Sequence, residues 1–148
     1  MTALIFSLLA VLLYLGASIY QTRCLIQRLA ANASILRATG LAALLAHGCS
    51  LYLQLITDTG LALGFFNAAS LVAWLVIAVT LLSSFRAPVL SLLLGLYPLA
   101  LVTVLLAWLF PGHGTLLVPG EGVLVAHILL SILAYGILTI AAFQAGLL

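Results

Sequence analysis

Val89-Leu-Ser-Leu-Leu-Leu-Gly-Leu-Tyr-Pro98-Leu-Ala-Leu-Val-Thr-Val-Leu-Leu-Ala-Trp108-Leu-Phe110 is a run of twenty-two residues without a charged side chain. About 20 apolar residues suffice for a helix to cross the hydrocarbon core of a bilayer. A membrane β-strand would instead alternate apolar and polar residues over segments of roughly ten. Here the apolar character is continuous. In lipid each backbone N–H and C=O must find a partner inside the protein, so a continuous run of this length reads as a helix. Gly95 and Pro98 predict a kink within it rather than a break.

Four more runs of the same kind flank it. The expected spans are about 2–20, 38–57, 66–85, 89–110 and 123–148. The 148-residue chain is 67% hydrophobic and 4% charged, too few polar groups to cover a water-soluble domain. The fold class is therefore all-α: a polytopic transmembrane helical bundle of about five spans, forming a single domain with the lipid bilayer as its solvent. The N-terminus has no basic region, and its apolar run continues through Tyr20, which favours a retained first span over a cleaved signal peptide. Linkers carry the punctuation: Arg86-Ala-Pro88 as a tight turn, and Pro111-Gly-His-Gly and Pro119-Gly-Glu-Gly122 at the two ends of a longer loop.

Arg23, Arg28 and Arg37 fall between the first two spans and Arg86 between the third and fourth, whereas Asp58 and Glu121 fall in the alternate loops. The positive-inside rule then predicts the N-terminus outside and the C-terminus in the cytoplasm. The fifth run reaches Leu148 without a basic anchor, as a C-terminally truncated chain would. The arginines are scattered rather than patched, so no nucleic-acid partner is expected. Cys24 and Cys49 are expected about half a membrane apart and unpaired, with Cys49 a small buried hydrophobe. No phosphate-binding glycine loop, paired carboxylates or nucleophile elbow is present. With two acidic residues and no lysine, histidine is the main group left for acid–base work.

His47 and His127 lie inside spans, where a polar ionisable side chain is costly and marks a candidate site. At 100° per residue His47, Ser50, Gln54 and Asp58 share one stripe of the second helix, continued by Gly40 and Ala43. Two readings stand: a polar seam packed against a neighbouring helix, or a ligand-binding seam with His47 at its inner end. His127 continues through Ser131, Ala134, Leu138, Ala141 and Ala145, a face of mostly small residues suited to packing on a helix or a flat cofactor. Its bland alternative is a histidine hydrated at the membrane interface. Asn67, Ser70 and Trp74 share a face of the third helix, where Trp74 packs on a helix or on a porphyrin. Phe65 and Phe66 fit an aromatic belt, and His113 reads as a loop residue.

Three blocks, taken together, resemble a known family. Val125-Ala-His127-Ile-Leu-Leu-Ser131-Ile-Leu-Ala-Tyr135-Gly, continuing through Ile140-Ala-Ala-Phe-Gln-Ala145, looks like the His-x7-Tyr helix of the cytochrome c assembly family (CcsA/CcmC-like). Leu44-Leu-Ala-His47-Gly-Cys-Ser-Leu-Tyr52 and Gly64-Phe-Phe-Asn67-Ala-Ala-Ser70-Leu-Val-Ala-Trp74 resemble its YpjD/HemX-like branch. The chain departs from the family in lacking a tryptophan-rich segment, since Trp74 and Trp108 are its only tryptophans. The resemblance implies a multi-pass protein of the bacterial inner (cytoplasmic) membrane, the N-terminal part of a longer family domain. It would bind or present haem b during cytochrome c maturation, as a carrier or assembly factor rather than an enzyme, alongside other maturation proteins. His47 and His127 would be axial haem-iron ligands, and Trp74 would pack on the haem. The alternative expectation is a small permease-type or regulatory membrane subunit without haem.

Overall fold

The computed structural model describes residues 2–57, 60–110, 116–117 and 122–146. Five helices, each long and apolar enough to cross a membrane, run in chain order: α1 (Thr2–Ile26), α2 (Ala33–Leu55), α3 (Phe65–Ser83), α4 (Leu93–Leu109, preceded by a 3-10 turn at Leu90–Leu92) and α5 (Gly122–Gly146). The chain is a multi-pass helical membrane protein. α1 runs six residues past the apolar stretch, because Gln21-Thr-Arg-Cys-Leu-Ile contains nothing that breaks a helix. α2 starts earlier than its apolar run, at an N-cap: the Asn32 side chain accepts from the Ser34 and Ile35 backbone amides. α2 stops at Leu55 because Ile56–Thr57 (β1) turn extended and pair antiparallel with Gly60–Ala62 (β2), which in turn pairs with Leu116–Leu117 (β3). The sequence reading did not anticipate this small three-stranded sheet at one end of the bundle.

α1 packs on α2 and α4, while α3 packs on α2, α4 and α5. Where α1 meets α2 the core is rich in small and polar residues, while α3 and α4 supply bulkier ones such as Ile77, Leu81, Leu93 and Leu96. α1 turns Ser7, Ala10, Tyr14, Ala17 and Gln21 inward, alternating three and four residues apart. α2 contributes Gly40, Ala43, Ala46, His47 and Ser50. Large residues such as Leu12, Leu45, Leu82 and Ile5 face outward. Lipid tails are as apolar as leucine, so burying leucine gains nothing there. Close backbone approach and interhelical hydrogen bonds order the bundle instead.

Gly40 shows this close approach. A Cβ at this position would collide with the Tyr97 hydroxyl and lie 2.9 Å from the Leu81 side chain. Tyr97 is fully buried and donates to the Leu36 carbonyl at 3.0 Å, so its hydroxyl cannot yield freely. Gly40→Ala is expected to destabilise the detergent-solubilised protein by about 1–3 kcal/mol, the usual cost of overpacking a core. Combined with Tyr97→Phe, part of that loss should be recovered, because one clashing atom is gone. A double-mutant cycle read by unfolding in detergent checks this, and strictly additive losses would show that the contact is not what matters.

Candidate functional site

α1, α2 and α3 meet at His47, which is 1% exposed. Its Nε2 lies 2.9 Å from Ser70 Oγ on α3, and its Nδ1 lies 3.3 Å from the Tyr14 hydroxyl on α1. An imidazole with one N–H and one lone pair satisfies both partners in either tautomer, and neither nitrogen is left for a ligand. The Tyr14 ring meets the imidazole edge-on with centroids 5.9 Å apart and also leans on Tyr97 at 5.5 Å. One turn along α2, a second polar line crosses to α1. Gln54 Nε2 donates to Ser50 Oγ at 2.8 Å, Ser50 and Ser7 share a 2.6 Å hydroxyl contact, and Ser7 donates to the Ala3 carbonyl at 2.9 Å. Because the Ser7 hydrogen is spent on Ala3, the Ser50 hydroxyl is the donor between the two serines. Of the stripe expected from sequence, His47 and Ser50 are buried and Gln54 half-buried in this seam, and Asp58 lies outside the described residues.

Trp74 points from α3 at the same helix. Its indole N–H donates to the Leu44 carbonyl at 2.9 Å. It can reach that carbonyl because Gly48 leaves room: a Cβ there would lie 3.0 Å from the indole nitrogen. Trp74 thus packs on a helix. Its outer edge lines a lateral apolar groove of about 460 Å³ with Phe6, Leu45, Cys49 and Tyr52. Cys49 is exposed in this groove rather than buried, because the seam takes the opposite face of α2. Cys24 sits in the last turns of α1, and both cysteines are free.

His127 lies elsewhere. It is exposed near the start of α5, on the flank of a groove of about 510 Å³ between α3 and α5. α3 supplies Phe65, Ala68, Ala69 and Val72 to this groove, while α5 supplies His127, Ile128, Ser131, Ile132 and Tyr135. His127 and Tyr135, the two ends of the His-x7-Tyr pattern, therefore line one groove. The Ser131 hydroxyl is spent on the His127 carbonyl at 2.8 Å, which leaves the imidazole and the Tyr135 hydroxyl as the polar groups of α5 facing the groove.

The small face of α5 does not pack on a helix. Ala134, Leu138, Ala141 and Ala145 are exposed, and α5 rests on α3 through Ile132, Gly136 and Ile140 instead. Gly136 is buried against this wall, where a Cβ would make ordinary van der Waals contact with Leu75 and Val76 at 3.5 Å.

His47, Trp74 and His127 thus occupy three separate environments, and the structure does not bring them to one centre. His113 lies outside the described residues. Among the described residues no group of three or more His, Cys, Asp or Glu could hold a bare metal ion. Sequence reasoning missed Tyr14 and Ser7, the α1 partners of His47 and Ser50. Ser7, Tyr14 and Gln21 recur at seven-residue intervals, and that spacing was the available signal.

No family model matches the sequence, and no curated protein or solved structure matches the chain.

The clasp on His47 makes a quantitative expectation. Interhelical hydrogen bonds in membrane proteins contribute on average about 0.6 kcal/mol and reach about 1.7 kcal/mol. A cycle of His47→Ala and Ser70→Ala should return a coupling energy in that range when unfolding is followed in detergent. Zero coupling would mean that Ser70 does not hold the imidazole.

Proposed function

We propose that this chain is a haem-handling membrane protein of the cytochrome c assembly type, with haem b seated in the α3–α5 groove and His127 as its iron ligand. The observation that carries the reading is the shared groove of His127 and Tyr135, the two residues on which the family resemblance of α5 rests. The groove suits a flat apolar ring. Ala68 and Ala69 leave its α3 wall shallow, the remaining lining is mostly apolar, and its volume falls within the roughly 300–1,000 Å³ typical of small-molecule sites. A histidine nitrogen is a common axial donor to haem iron. When bound, haem would supply the iron and its redox chemistry. The chain would supply the imidazole, the apolar walls and the Tyr135 hydroxyl at the far end. His47 would act differently, by setting the rotation of α3, since Ser70 faces His47 while Ala68, Ala69 and Val72 face the groove. The role is that of a carrier or assembly factor in a bacterial inner membrane.

Titrating haem into the purified protein tests the reading. The wild type should develop a Soret band saturating at one equivalent. His127→Ala should weaken binding about tenfold or more, and Ala69→Phe should block the groove while leaving the fold intact. His47→Ala should retain the band. A flat titration, or a band indifferent to His127→Ala, rejects the assignment.

The arginines support an orientation with the N-terminus outside and the basic end in the cytoplasm. Ser34 is exposed at that end. In a background of Cys24→Ser and Cys49→Ser, Ser34→Cys should resist a membrane-impermeant maleimide on spheroplasts and react after permeabilisation. Labelling of sealed spheroplasts would invert the topology.

A further inference from the structure

We propose that the turn joining α1 to α2, with Arg28 at its tip, forms an anionic-phospholipid binding surface together with Arg23 and Arg86. The argument starts from an unusual backbone. Arg28 has φ of 55°, the left-handed region that glycine normally fills at the end of a helix. The hydrogen bonds around it form a Schellman motif: Leu29 N–H donates to the Cys24 carbonyl at 2.8 Å and Arg28 N–H to the Leu25 carbonyl at 3.1 Å. Glycine would satisfy this motif without strain. An arginine held there instead places a long cation at a fixed point, and such outliers recur at sites of function. The turn is held from its far side as well. The Asn32 N–H donates to the Tyr20 hydroxyl at 3.0 Å, and the Asn32 side chain caps α2.

The surroundings name the partner. Leu25, Ile26 and Leu29 are 62%, 75% and 61% exposed beside Arg28, an apolar rim around a cation. Arg23 and Arg86 are exposed at the same end, which Gln21 ties to the Leu90 carbonyl at 3.0 Å. The fourth arginine is used differently. Arg37 donates to Ser84 and covers the Phe85 ring at 4.8 Å, so it is committed to joining α2 to the end of α3. Both acidic residues of the chain belong to loops between other spans, Asp58 after β1 and Glu121 before α5. Arg23, Arg28 and Arg86 therefore have no Asp or Glu side chain to pair with among the described residues of this end. A phosphodiester headgroup answers the charge, and its acyl chains answer the exposed leucine and isoleucine side chains.

Native mass spectrometry of the delipidated protein, offered equal phosphatidylglycerol and phosphatidylcholine, tests this directly. The wild type should retain phosphatidylglycerol preferentially, and each of Arg23→Gln, Arg28→Gly and Arg86→Gln should lower that preference about fivefold. Arg28→Gly is the decisive variant: glycine relieves the left-handed backbone, so the fold is kept or strengthened while lipid selectivity falls. Equal retention of the two lipids by the wild type overturns the proposal, as does a preference unchanged in Arg28→Gly. Displacement of phosphatidylglycerol by millimolar inorganic phosphate would also overturn it, by making the site one for a free anion.

Discussion

A single imidazole, reached from both sides, holds the first three helices together. In water such an arrangement would be one polar detail in a core driven together by apolar burial. In lipid the driving force between helices is of a different kind: a leucine is equally at home against a tail or a neighbour, so burial alone does not choose a face. What selects the inward face is the need of His47, Ser50, Ser70, Tyr14 and Ser7 for partners that hydrocarbon cannot offer. Rotating α2 by half a turn would strand an imidazole and a hydroxyl in the acyl chains, which costs far more than any repacking of leucines. The seam thus sets helix rotation, and the glycines and alanines around it set helix distance.

α3 passes this constraint outward. One of its sides meets His47 through Ser70 and reaches α2 again through the indole of Trp74. Another side forms the wall on which α5 rests and in which the His127 groove opens. Any change that lets α3 turn about its axis would move Ser70 away from His47 and Ala69 away from the groove together. The buried histidine and the exposed one are connected in this mechanical sense although no ligand joins them.

Much of the fold was legible because lipid leaves little choice. Five uninterrupted apolar runs had to be helices, and four arginines on alternate linkers had to share an end. Arg37 reaching Ser84 across that end agrees with the pairing. The stripe on α2 was legible as well, since polar residues at helical spacing stand out against leucine and alanine. The α1 stripe was harder: serine, tyrosine and glutamine at seven-residue spacing are polar enough to matter only once their partners are known. The small sheet escaped because its strands are two and three residues long, although Ile56-Thr-Asp-Thr-Gly60 carries turn-forming types at its centre. The small face of α5 is left without a helix to pack on for a physical reason. Small residues signal contact only when a partner helix is present to make it, and α5 packs mainly on α3, reaching α4 through Phe143 against Gly95, whereas α3 packs on three helices.

That asymmetry separates the two histidines. Ligand binding needs a free lone pair and a path to it. His47 has the depth that first marks it as a site, yet depth is what required it to be satisfied inside the protein, and both nitrogens are engaged. His127 lies on the least enclosed helix of the bundle, beside a groove rather than inside a seam, and its ring is exposed. In a membrane protein a costly polar residue therefore carries two opposite meanings. Where it is surrounded, it organises helices; where it borders an apolar groove, it remains available for coordination. The same division runs through the arginines: Arg37 is half-buried and joins α2 to the end of α3, whereas Arg28 stands exposed at a left-handed turn.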